Sequence, residues 1–404
     1  MSNTRPNEHL VIVGAGLVGA TLAAILSQSS HAQNLQITLI DRDSAPTLPT
    51  KEPYEYDPRV VALTVASQQV LENLGLWQSI EALGICHYQH MQVWDNDGTG
   101  AIDFHAEDIG QPRLGSIVEN RIVLDRVLSC IEGLKNITIL RGQGVKDIEQ
   151  GETQATIVLE DGHRLNASLI VAADGGLSTV RKLGGFKVGE KSYEQSAIIA
   201  TIKTEKSHQH TAWQNFLSTG PLAVLPLHGA DERYSSIVWS ADTALSDELM
   251  TLTKAAFDEN LSRSLEGRLG QATTIGQRYQ VPLIARHAEN YFHKRIVLAG
   301  DAAHTIHPLA GQGVNLGLLD AASLAQEINR ARSRDLAISD GSVLRRYQRQ
   351  RKHQNAEMLL LMQGFKTLFG QRAPMARLAR NYGLTRFNTV PLIKNWLAKQ
   401  ASGI

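Results

Sequence analysis

Three short apolar runs along the chain each lead into a glycine-containing stretch and then into a segment with helical character. These runs are Leu10–Val13, Leu169–Ala173 and Ile296–Leu298. Short continuous apolar runs are typical of strands buried on both faces of a sheet, and the Ala- and Leu-rich segments after them predict helices. The pattern therefore predicts three strand–loop–helix units of an α/β fold.

A different pattern occupies the middle of the chain, where apolar and polar residues alternate between about residues 192 and 239. Alternation with a period of two predicts strands of an antiparallel sheet. The predicted strands are Ala197–Ile202, Thr211–Leu217, Leu222–Leu227 and Tyr234–Trp239. Gly220-Pro221 and the segment from His228 to Asp231 predict turns between them. Tyr279–Ile284 would return the chain to the first unit.

Composition places the chain among globular proteins. Its 404 residues are 43% hydrophobic, which is ample for a core, and 40 basic residues balance 40 acidic ones. This balance gives a nucleic-acid function no electrostatic support. Cys86 and Cys130 lack the spacing of a disulfide or metal site, which fits a cytoplasmic compartment. We expect no membrane-spanning segment and no signal peptide, because the first strand starts near residue 9.

The first apolar run is followed by Gly14-Ala15-Gly16-Leu17-Val18-Gly19, a GxGxxG motif between a predicted strand and a predicted helix. Gly14 permits the tight turn, Gly16 lets the backbone approach a pyrophosphate, and Gly19 lets helix and strand pack closely. Asp41 ends the next predicted strand, where a carboxylate can accept hydrogen bonds from ribose hydroxyls. The unit predicts a dinucleotide site but does not separate NAD from FAD.

Two later loops resolve that ambiguity. Asp174-Gly175 follows the second apolar run, and Gly300-Asp301 follows the third, shortly before glycines that open the next predicted helix. Backbone N–H groups and the positive end of a helix dipole at such a position favour an anionic ligand. A chain with these three motifs resembles the class A flavoprotein monooxygenases of the para-hydroxybenzoate hydroxylase type, over nearly its whole length.

The resemblance implies an α/β fold with a Rossmann-like FAD-binding domain, an antiparallel β-sheet substrate domain and a helical C-terminal region. The FAD-binding domain would be discontinuous, comprising residues 1–75, 100–190 and 280–335. The substrate domain would comprise residues 76–99 and 191–279, and the C-terminal helices residues 336–404. In this class the sheet covers the flavin, so Trp213, Phe216 and Pro226 are candidates to line the substrate cavity, with a core position as the alternative.

The resemblance also implies individual FAD contacts. Gly14, Gly16, Gly19 and Asp41 would hold the ADP half, and Asp301, after Gly300, would bond a ribityl hydroxyl. Backbone N–H groups at the start of the last predicted helix would face the pyrophosphate or the flavin carbonyl edge, and Asn315 would support that loop. These backbone positions are Gly311, Gln312, Gly313 and Val314.

Other implied contacts involve the nicotinamide cofactor and arginines. Asp174 and Gly175 belong to the motif associated with both FAD and NAD(P)H. Arg42, Arg59 and Arg121 are candidates to approach FAD, with a surface position as the alternative.

Several segments resemble the ubiquinone-biosynthesis hydroxylases, the UbiH/UbiF/VisC group. They are Asp57–Leu63, Gly75–Trp77, Val93–Asp95, Leu114–Asn120 and His307–Gly317. This resemblance implies hydroxylation of the aromatic head of a polyprenylated phenol. FAD would be reduced by NAD(P)H and would react with O2 to form a C4a-hydroperoxide. Three alternatives remain open: a monooxygenase of a soluble phenol, an FAD-binding assembly component of the pathway, and a flavin reductase of prenyl double bonds.

Candidates for chemistry beside the flavin lie in the same loop. His307 and Pro308 would face the reactive region, with Pro308 shaping the loop. His304 and His307, three residues apart, are the nearby candidates to ionise or polarise the phenol. No third ligand accompanies them in a metal-binding pattern, so we expect a structural or loop-shaping role for them rather than a metal site.

The last part of the chain is strongly basic. From residue 345 onward, twelve basic residues stand against the single acid Glu357. The basic residues are Arg345, Arg346, Arg349, Arg351, Lys352, Lys366, Arg372, Arg377, Arg380, Arg386, Lys394 and Lys399. One interpretation is helices packed on the flavin domain with a solvated basic side. The other is peripheral contact of a cytoplasmic protein with the anionic inner membrane surface or with other ubiquinone-biosynthesis proteins.

Overall fold

The computed structural model describes residues 8–48, 55–96, 100–305, 312–370 and 391–403. The strands in chain order are β1 His9–Val13, β2 Gln36–Asp41, β3 Val60–Leu63, β4 Cys86–Tyr88, β5 His90–Asp95, β6 Ala101–His105, β7 Gly115–Glu119, β8 Ile137–Arg141, β9 Val145–Gln150, β10 Ala155–Leu159, β11 Arg164–Ala167, β12 Leu169–Ala172, β13 Val188–Thr204, β14 Thr211–Leu217, β15 Gly220–Pro226, β16 Tyr234–Asp242, β17 Ala272–Ala288, β18 Phe292–His293, β19 Ile296–Leu298 and β20 His304–Thr305. The helices are α1 Leu17–Ser27, α2 Val65–Asn73, α3 Trp77–Gly84, α4 Asn120–Ile131, α5 Thr179–Leu183, α6 Thr243–Thr251, α7 Lys254–Ser264, α8 Gln312–Ser333, α9 Gly341–Gly370 and α10 Pro391–Ser402.

The three apolar runs form neighbouring strands of one sheet. Its order is β18-β19-β12-β1-β2-β8, and the pairs from β19 to β8 are parallel. The side chains of β1, β12 and β19 are almost completely buried, and they share one apolar cluster with residues of α1 and α8. Since the carboxyl ends of parallel strands meet at one edge, the loops after β1, β12 and β19 lie side by side there.

The alternating segments form part of a second, eight-stranded sheet, which we call the roof sheet. Its order is β20-β17-β13-β16-β15-β14-β5-β6. The pairs are antiparallel except β14 with β5, which comes from an earlier part of the chain and is not joined to β14 by a hairpin. Helices α6 and α7 cover one face of the sheet, where Trp239 and Phe257 belong to a buried apolar cluster.

The opposite face of the roof sheet, which we call the inner face, turns toward β3 and β7. Leu225 and Tyr234 on this face pack near Ala62 of β3 in a separate apolar cluster. Strand β3 belongs to a small sheet of order β3-β7-β4, and a fourth sheet has the order β11-β10-β9. The inner face therefore lies close to the strand that precedes α2.

Two cavity-lining candidates from the sequence occupy the helix-covered face instead. Trp213 lies opposite Val224 in the β14–β15 ladder and packs against the cluster beneath α6 and α7. Pro226 is two residues from Val224 and shares its side, because strand side chains alternate between faces. The prediction of cavity lining is thus wrong for Trp213 and Pro226, while Phe216 is on the inner side. The strand period was predicted, but which side faced the helices depended on long-range packing.

The C-terminal helices contact both sheets. Tyr347 of α9 is buried and donates a hydrogen bond from its hydroxyl to the carbonyl of Leu298, at the end of β19. Ala398 of α10 packs near Ile109, and Lys394 lies 2.7 Å from the Asp108 carboxylate. Part of the basic C-terminal charge is therefore paired with an acidic residue of the same molecule.

Candidate active site

The Gly14–Gly19 loop is shaped by main-chain contacts. The N–H of Gly14 donates to the carbonyl of Ile40 at 2.7 Å, and its φ is +104°. A Cβ on Gly14 would lie 2.2 Å from the carbonyl oxygen of Ala173, and one on Gly19 would lie 2.0 Å from the Gly14 oxygen. Both positions therefore require glycine, the first for its backbone conformation and both for space.

Gly16 has the opposite environment, because a Cβ there would meet no described atom within 4 Å. Its N-terminal position on α1 leaves the approach to the helix N-terminus open to a pyrophosphate. The nearby Asp41 carboxylate accepts the Ala15 N–H at 2.6 Å and the Asp43 N–H at 2.9 Å. These bonds hold the carboxylate at the loop, where the ribose of a dinucleotide would lie.

The central loop is tied to its own helix. Asp174 accepts hydrogen bonds from the Ser178 hydroxyl and from the Val180 N–H, and thus caps the start of α5. Gly175 has a φ of +78°, which favours glycine at this turn. The role of Asp174 and Gly175 toward FAD and NAD(P)H stays a prediction.

Arg181, to which the sequence analysis gave no role, joins the central loop to the Gly300–Asp301 loop. Its guanidinium is buried and donates to the carbonyls of Ala302 at 2.9 Å and Gly176 at 2.7 Å. Burial, together with the neighbouring Arg286, lowers the pKa of Arg181. An arginine in the first turn after the Asp-Gly loop was visible in the sequence, but its partner Ala302 lies 121 residues further along the chain.

The third loop places a carboxylate in a cleft. Gly300 has a φ of +60°, and a Cβ there would lie 2.9 Å from Cγ2 of Val18. The next side chain, Asp301, is exposed to the cleft although protein surrounds it, and this burial raises its pKa, while nearby His304 partly offsets the rise. Its Oδ1 lies 3.7 Å from the position that a Cβ on Gly313 would take. Asp301 therefore faces the first turn of α8.

Asn315 fixes the start of α8 to β3. Its Nδ2 donates to the carbonyl of Ala62 at 2.8 Å, and its Oδ1 accepts the N–H of Thr64 at 3.0 Å. Gln312 is buried and Val314 is half-buried beside it. The start of α8, where the predicted backbone contacts to FAD lie, is thus held by a side chain that reaches back to a distant strand.

Three predicted residues lie outside the described part of the chain. They are the catalytic candidates His307 and Pro308, and Gly311 of the predicted pyrophosphate contact. His304, in contrast, is described: it is buried and its Nε2 donates to the Asp320 carboxylate at 2.6 Å. Among the described residues there is no cluster of His, Cys, Asp or Glu arranged to hold a metal ion.

The predicted arginine contacts have different surroundings. Arg42 forms an exposed ion pair with Glu160 at 2.8 Å, and Arg59 is exposed. Arg121 is mostly buried, donates to Glu119 at 2.9 Å and to the carbonyl of Glu55, and so holds the segment that precedes β3. A role of these arginines toward FAD stays a prediction.

The inner face of the roof sheet supplies the other wall of the cleft. Arg278 and Gln280 bond to α6 and the loop after it, so Tyr279 and Val281 project from the opposite face, where they are 43% and 46% exposed. Ile199 lies opposite Tyr279 in the ladder. Because β20 pairs with β17, the chain after Asp301 runs directly into the edge of this sheet. The site therefore combines a polar, glycine-rich floor with an apolar wall.

These residues fit FAD. The open approach at Gly16 suits a pyrophosphate, Asp41 lies where a ribose would bind, and the cleft-facing Asp301 suits a polyol chain.

Comparisons with known proteins point to the same cofactor. A family model described as FAD binding domain matches residues 8–359. The 3-demethoxyubiquinol 3-hydroxylase of Escherichia coli strain K12 is 32% identical over 99% of this chain and 100% of its own length. The ubiquinone hydroxylase UbiL of Rhodospirillum rubrum is 31% identical over 98% of this chain and 89% of its own.

Solved structures show the same fold. p-Nitrophenol 4-monooxygenase PnpA from Pseudomonas putida DLL-E4 superposes with a TM-score of 0.78 at 18% identity, over 98% of both chains. PqsL from Pseudomonas aeruginosa, a probable FAD-dependent monooxygenase, has a TM-score of 0.72 at 22% identity over 94% of this chain and 100% of its own. The predicted fold class and the FAD cofactor are confirmed. The chain belongs to the FAD-binding monooxygenase family that includes the ubiquinone-biosynthesis hydroxylases.

Proposed function

We propose that this protein hydroxylates the aromatic ring of a polyprenylated phenol in ubiquinone biosynthesis, using FAD, NAD(P)H and O2. The observation that carries the proposal is the cleft between Asp301 and the apolar inner face, in a chain that matches a 3-demethoxyubiquinol 3-hydroxylase over its full length. Such a cleft offers polar groups for a cofactor on one side and an apolar surface for a substrate on the other.

Dioxygen reacts slowly with a closed-shell aromatic ring, and FAD, once reduced by NAD(P)H, supplies the oxygen activation. The protein would hold the cofactor in position. The Gly14–Gly19 loop and the N-terminus of α1 would hold the pyrophosphate, Asp41 the ribose and Asp301 the ribityl chain. The first turn of α8, with Gly313 facing Asp301, would present backbone N–H groups to the anionic cofactor.

The inner face would bind the substrate and exclude water. Tyr279 and Val281 are large, exposed apolar side chains beside the half-buried Ile199. An aromatic ring with an apolar chain would cover them and gain about 25 cal/mol for each Å² of apolar surface removed from water. Closing the cleft with apolar groups would also keep water from the reacting atoms.

A polyprenylated substrate resides in a bilayer, so contact with the inner membrane surface forms part of the proposal. None of the described helices combines the length and apolar character needed to cross a bilayer. Of the basic C-terminal residues, Arg346, Arg351, Lys352 and Lys394 bond within the protein, to Glu327, Asp320, the Glu289 carbonyl and Asp108. The remaining basic residues would supply the electrostatic attraction to anionic lipids, alone or with other proteins of the pathway.

The test is oxygen consumption and product mass for the purified, FAD-loaded protein. NADPH or NADH would be supplied with a short-chain prenylated phenol, and a soluble hydroxybenzoate would serve as the control substrate. We expect one oxygen atom to be added to the prenylated phenol and none to the control. Turnover of the soluble phenol alone would contradict the proposed substrate class. Retention of FAD without turnover of either substrate would contradict autonomous hydroxylation.

A further inference from the structure

A buried cluster of charged and polar side chains lies behind the Gly300–Asp301 loop. Its centre is Asp320 of α8, whose carboxylate accepts hydrogen bonds on both oxygens. Oδ2 accepts the backbone N–H of Gly300 at 2.9 Å and Nε2–H of His304 at 2.6 Å. A single oxygen atom thus holds both ends of the segment 300–304.

Arg351 of α9 completes the cluster from the other side. Its Nε donates to Oδ1 of Asp320 at 2.6 Å, and its Nη2 donates to the carbonyl of Leu316 at 3.1 Å. Asn355 donates to the same Oδ1 at 3.3 Å. Asp320, His304 and Asn355 are fully buried, and Arg351 is 3% exposed. Charged groups shielded from water therefore connect the loop to two helices.

Stability alone accounts poorly for this cluster. Buried ion pairs are often no more stabilising than well-packed apolar residues of similar volume, because removing the charges from water is costly. The cluster also carries an orphan: Nδ1 of His304 is buried and has no hydrogen-bond partner among the described residues. An unpaired buried nitrogen costs further free energy. What the cluster does supply is a defined position for the loop.

The residue in the middle of that loop is Asp301. Asp320 holds the main chain immediately before it, and Arg181 holds the Ala302 carbonyl immediately after it at 2.9 Å. Gly300 has the left-handed conformation that turns the chain at this point. We propose that His304, Asp320 and Arg351 are positioning residues, which set the backbone of the segment 300–304 and thereby aim the Asp301 carboxylate at FAD. The proposal concerns the cofactor and does not depend on the substrate being a prenylated phenol.

The experiment is FAD titration of the apoprotein, followed by flavin fluorescence and by the visible absorption and circular dichroism of bound flavin. Asp320→Asn keeps the shape of the side chain but removes its charge and one acceptor. We expect its FAD dissociation constant to rise roughly ten- to hundredfold, which is the effect typical of losing hydrogen bonds to a charged group. The bound-flavin dichroism should change as well, because the loop no longer presents Asp301 in one position.

The His304 variants test the same proposal without altering Asp320. His304→Leu removes the donor and should weaken FAD binding in the same direction. His304→Gln can place an amide N–H near the position of Nε2 and should restore most of the affinity and the dichroism. If Asp320→Asn does not fold, the comparison of His304→Leu with His304→Gln tests the proposal by itself.

Arg332→Met is the matched control, because Arg332 is also a buried arginine, bonded to Glu8 and to the His31 carbonyl at the far end of α8. It should lower the melting temperature and leave FAD affinity unchanged. The proposal would be overturned if folded Asp320→Asn or His304→Leu bound FAD with wild-type affinity and dichroism. It would also be overturned if Arg332→Met weakened binding as much as they do. Neither result depends on hydroxylation, so a wrong substrate assignment would leave this test intact.

Discussion

The two glycine loops at the floor of the cleft are held in different ways. In the Gly14–Gly19 loop the critical contacts join main-chain atoms, such as the Gly14 N–H to the Ile40 carbonyl. The Gly300–Asp301 loop has main-chain bonds too, such as the Ala299 N–H to the Ala172 carbonyl, but it is also held by buried side chains from distant parts of the chain, Asp320 on one side and Arg181 on the other. Close main-chain contacts require glycines at fixed spacing, so a loop built on them can be recognised from its own sequence. A loop held by side chains can be recognised only in part, because the residues that hold it lie elsewhere in the sequence.

Substitutions in the two loops should therefore change the stability of the apoprotein by different amounts. A substitution that collides with main-chain atoms should cost the apoprotein most stability, because backbone cannot move aside. Loss of a side-chain donor should cost less, and neutralising the cleft carboxylate should cost least.

Gly14→Ala should have the largest effect. Its Cβ would lie 2.2 Å from the Ala173 oxygen and its φ of +104° is strained for alanine, so we expect a loss of several kcal/mol in the free energy of unfolding, about 4 or more. Gly16→Ala is the control, since its Cβ meets no described atom within 4 Å. It should keep apoprotein stability but weaken FAD binding. Urea unfolding and FAD titration measure both, and equal stability of the two variants would refute the main-chain account.

Arg181→Met should have an intermediate effect, because the carbonyls of Ala302 and Gly176 lose a buried, charged donor. Hydrogen bonds of this kind contribute about 1.5–3 kcal/mol each, so we expect a loss of about 3 kcal/mol together with weaker FAD binding. Arg181→Lys should recover part of both, since one ammonium cannot reach both carbonyls as the guanidinium does. Thermal unfolding with and without FAD provides the measurement. Loss of stability without any change in FAD affinity would show that Arg181 does not shape the cofactor loop.

Asp301→Asn should change stability least, and in the opposite direction. Burial raises the pKa of Asp301 above its value in the unfolded chain, so ionising this carboxylate costs stability as the pH rises through its folded pKa. The asparagine variant escapes that cost. Its apoprotein should be slightly more stable than wild type at pH 7 and indistinguishable from it below the ordinary carboxyl range, while FAD binds more weakly. Urea unfolding of both apoproteins across this pH range checks the sign, and a less stable variant at pH 7 would contradict it.

Asp320 shows the reverse linkage and extends the comparison to acid pH. Burial alone would raise its pKa, but His304 and Arg351 outweigh burial and lower the pKa to about 2, well below the ordinary aspartate range. Its charge therefore stabilises the fold above the unfolded pKa, by about 2 kcal/mol, and this contribution is lost as the pH falls through the folded pKa. In the wild-type apoprotein, acid unfolding should begin below about pH 4. Asp320→Asn should flatten this part of the profile, and an unchanged acid profile would show that Asp320 is not the group involved.

Much of the fold could be predicted from local pattern. Three apolar runs form neighbouring strands of one sheet, at Leu10–Val13, Leu169–Ala173 and Ile296–Leu298. A continuous apolar run is typical of a strand that is covered on both faces of its sheet. Alternation from about residue 192 to 239 became the roof sheet. The alternating pattern did not extend to β5 and β6. The domain bounds expected from the resemblance put β5 with the substrate domain and β6 with the FAD-binding domain, and the parallel pairing of β5 with β14 was not predicted, because strand partners are chosen over long sequence distances.

Side-chain orientation was less predictable than strand position. Trp213 was a candidate to line the substrate cavity, with a core position as the alternative, and it packs under α6 and α7, because alternation defines two faces without saying which face the helices cover. Tyr279 and Val281 belong to a predicted segment, but their exposure on the inner face is set by Arg278 and Gln280, which bond toward α6 and the residues after it. The sequence of this strand therefore did not identify it as the apolar wall of the cleft.

The sequence by itself determined the motifs that depend on local backbone geometry: glycine where φ is positive or where main-chain atoms approach, and an acid at the end of a strand. Gly14, Gly19, Asp41 and Asp301 belong to this class, because each stands in a motif that its neighbours in the sequence reveal, although the oxygen that Gly14 approaches belongs to the distant Ala173. The tertiary structure alone decided how Asp301 is held. Asp320, Arg351 and Arg181 come from three different helices, and only folding brings their charges within hydrogen-bond distance of one another or of the segment they hold.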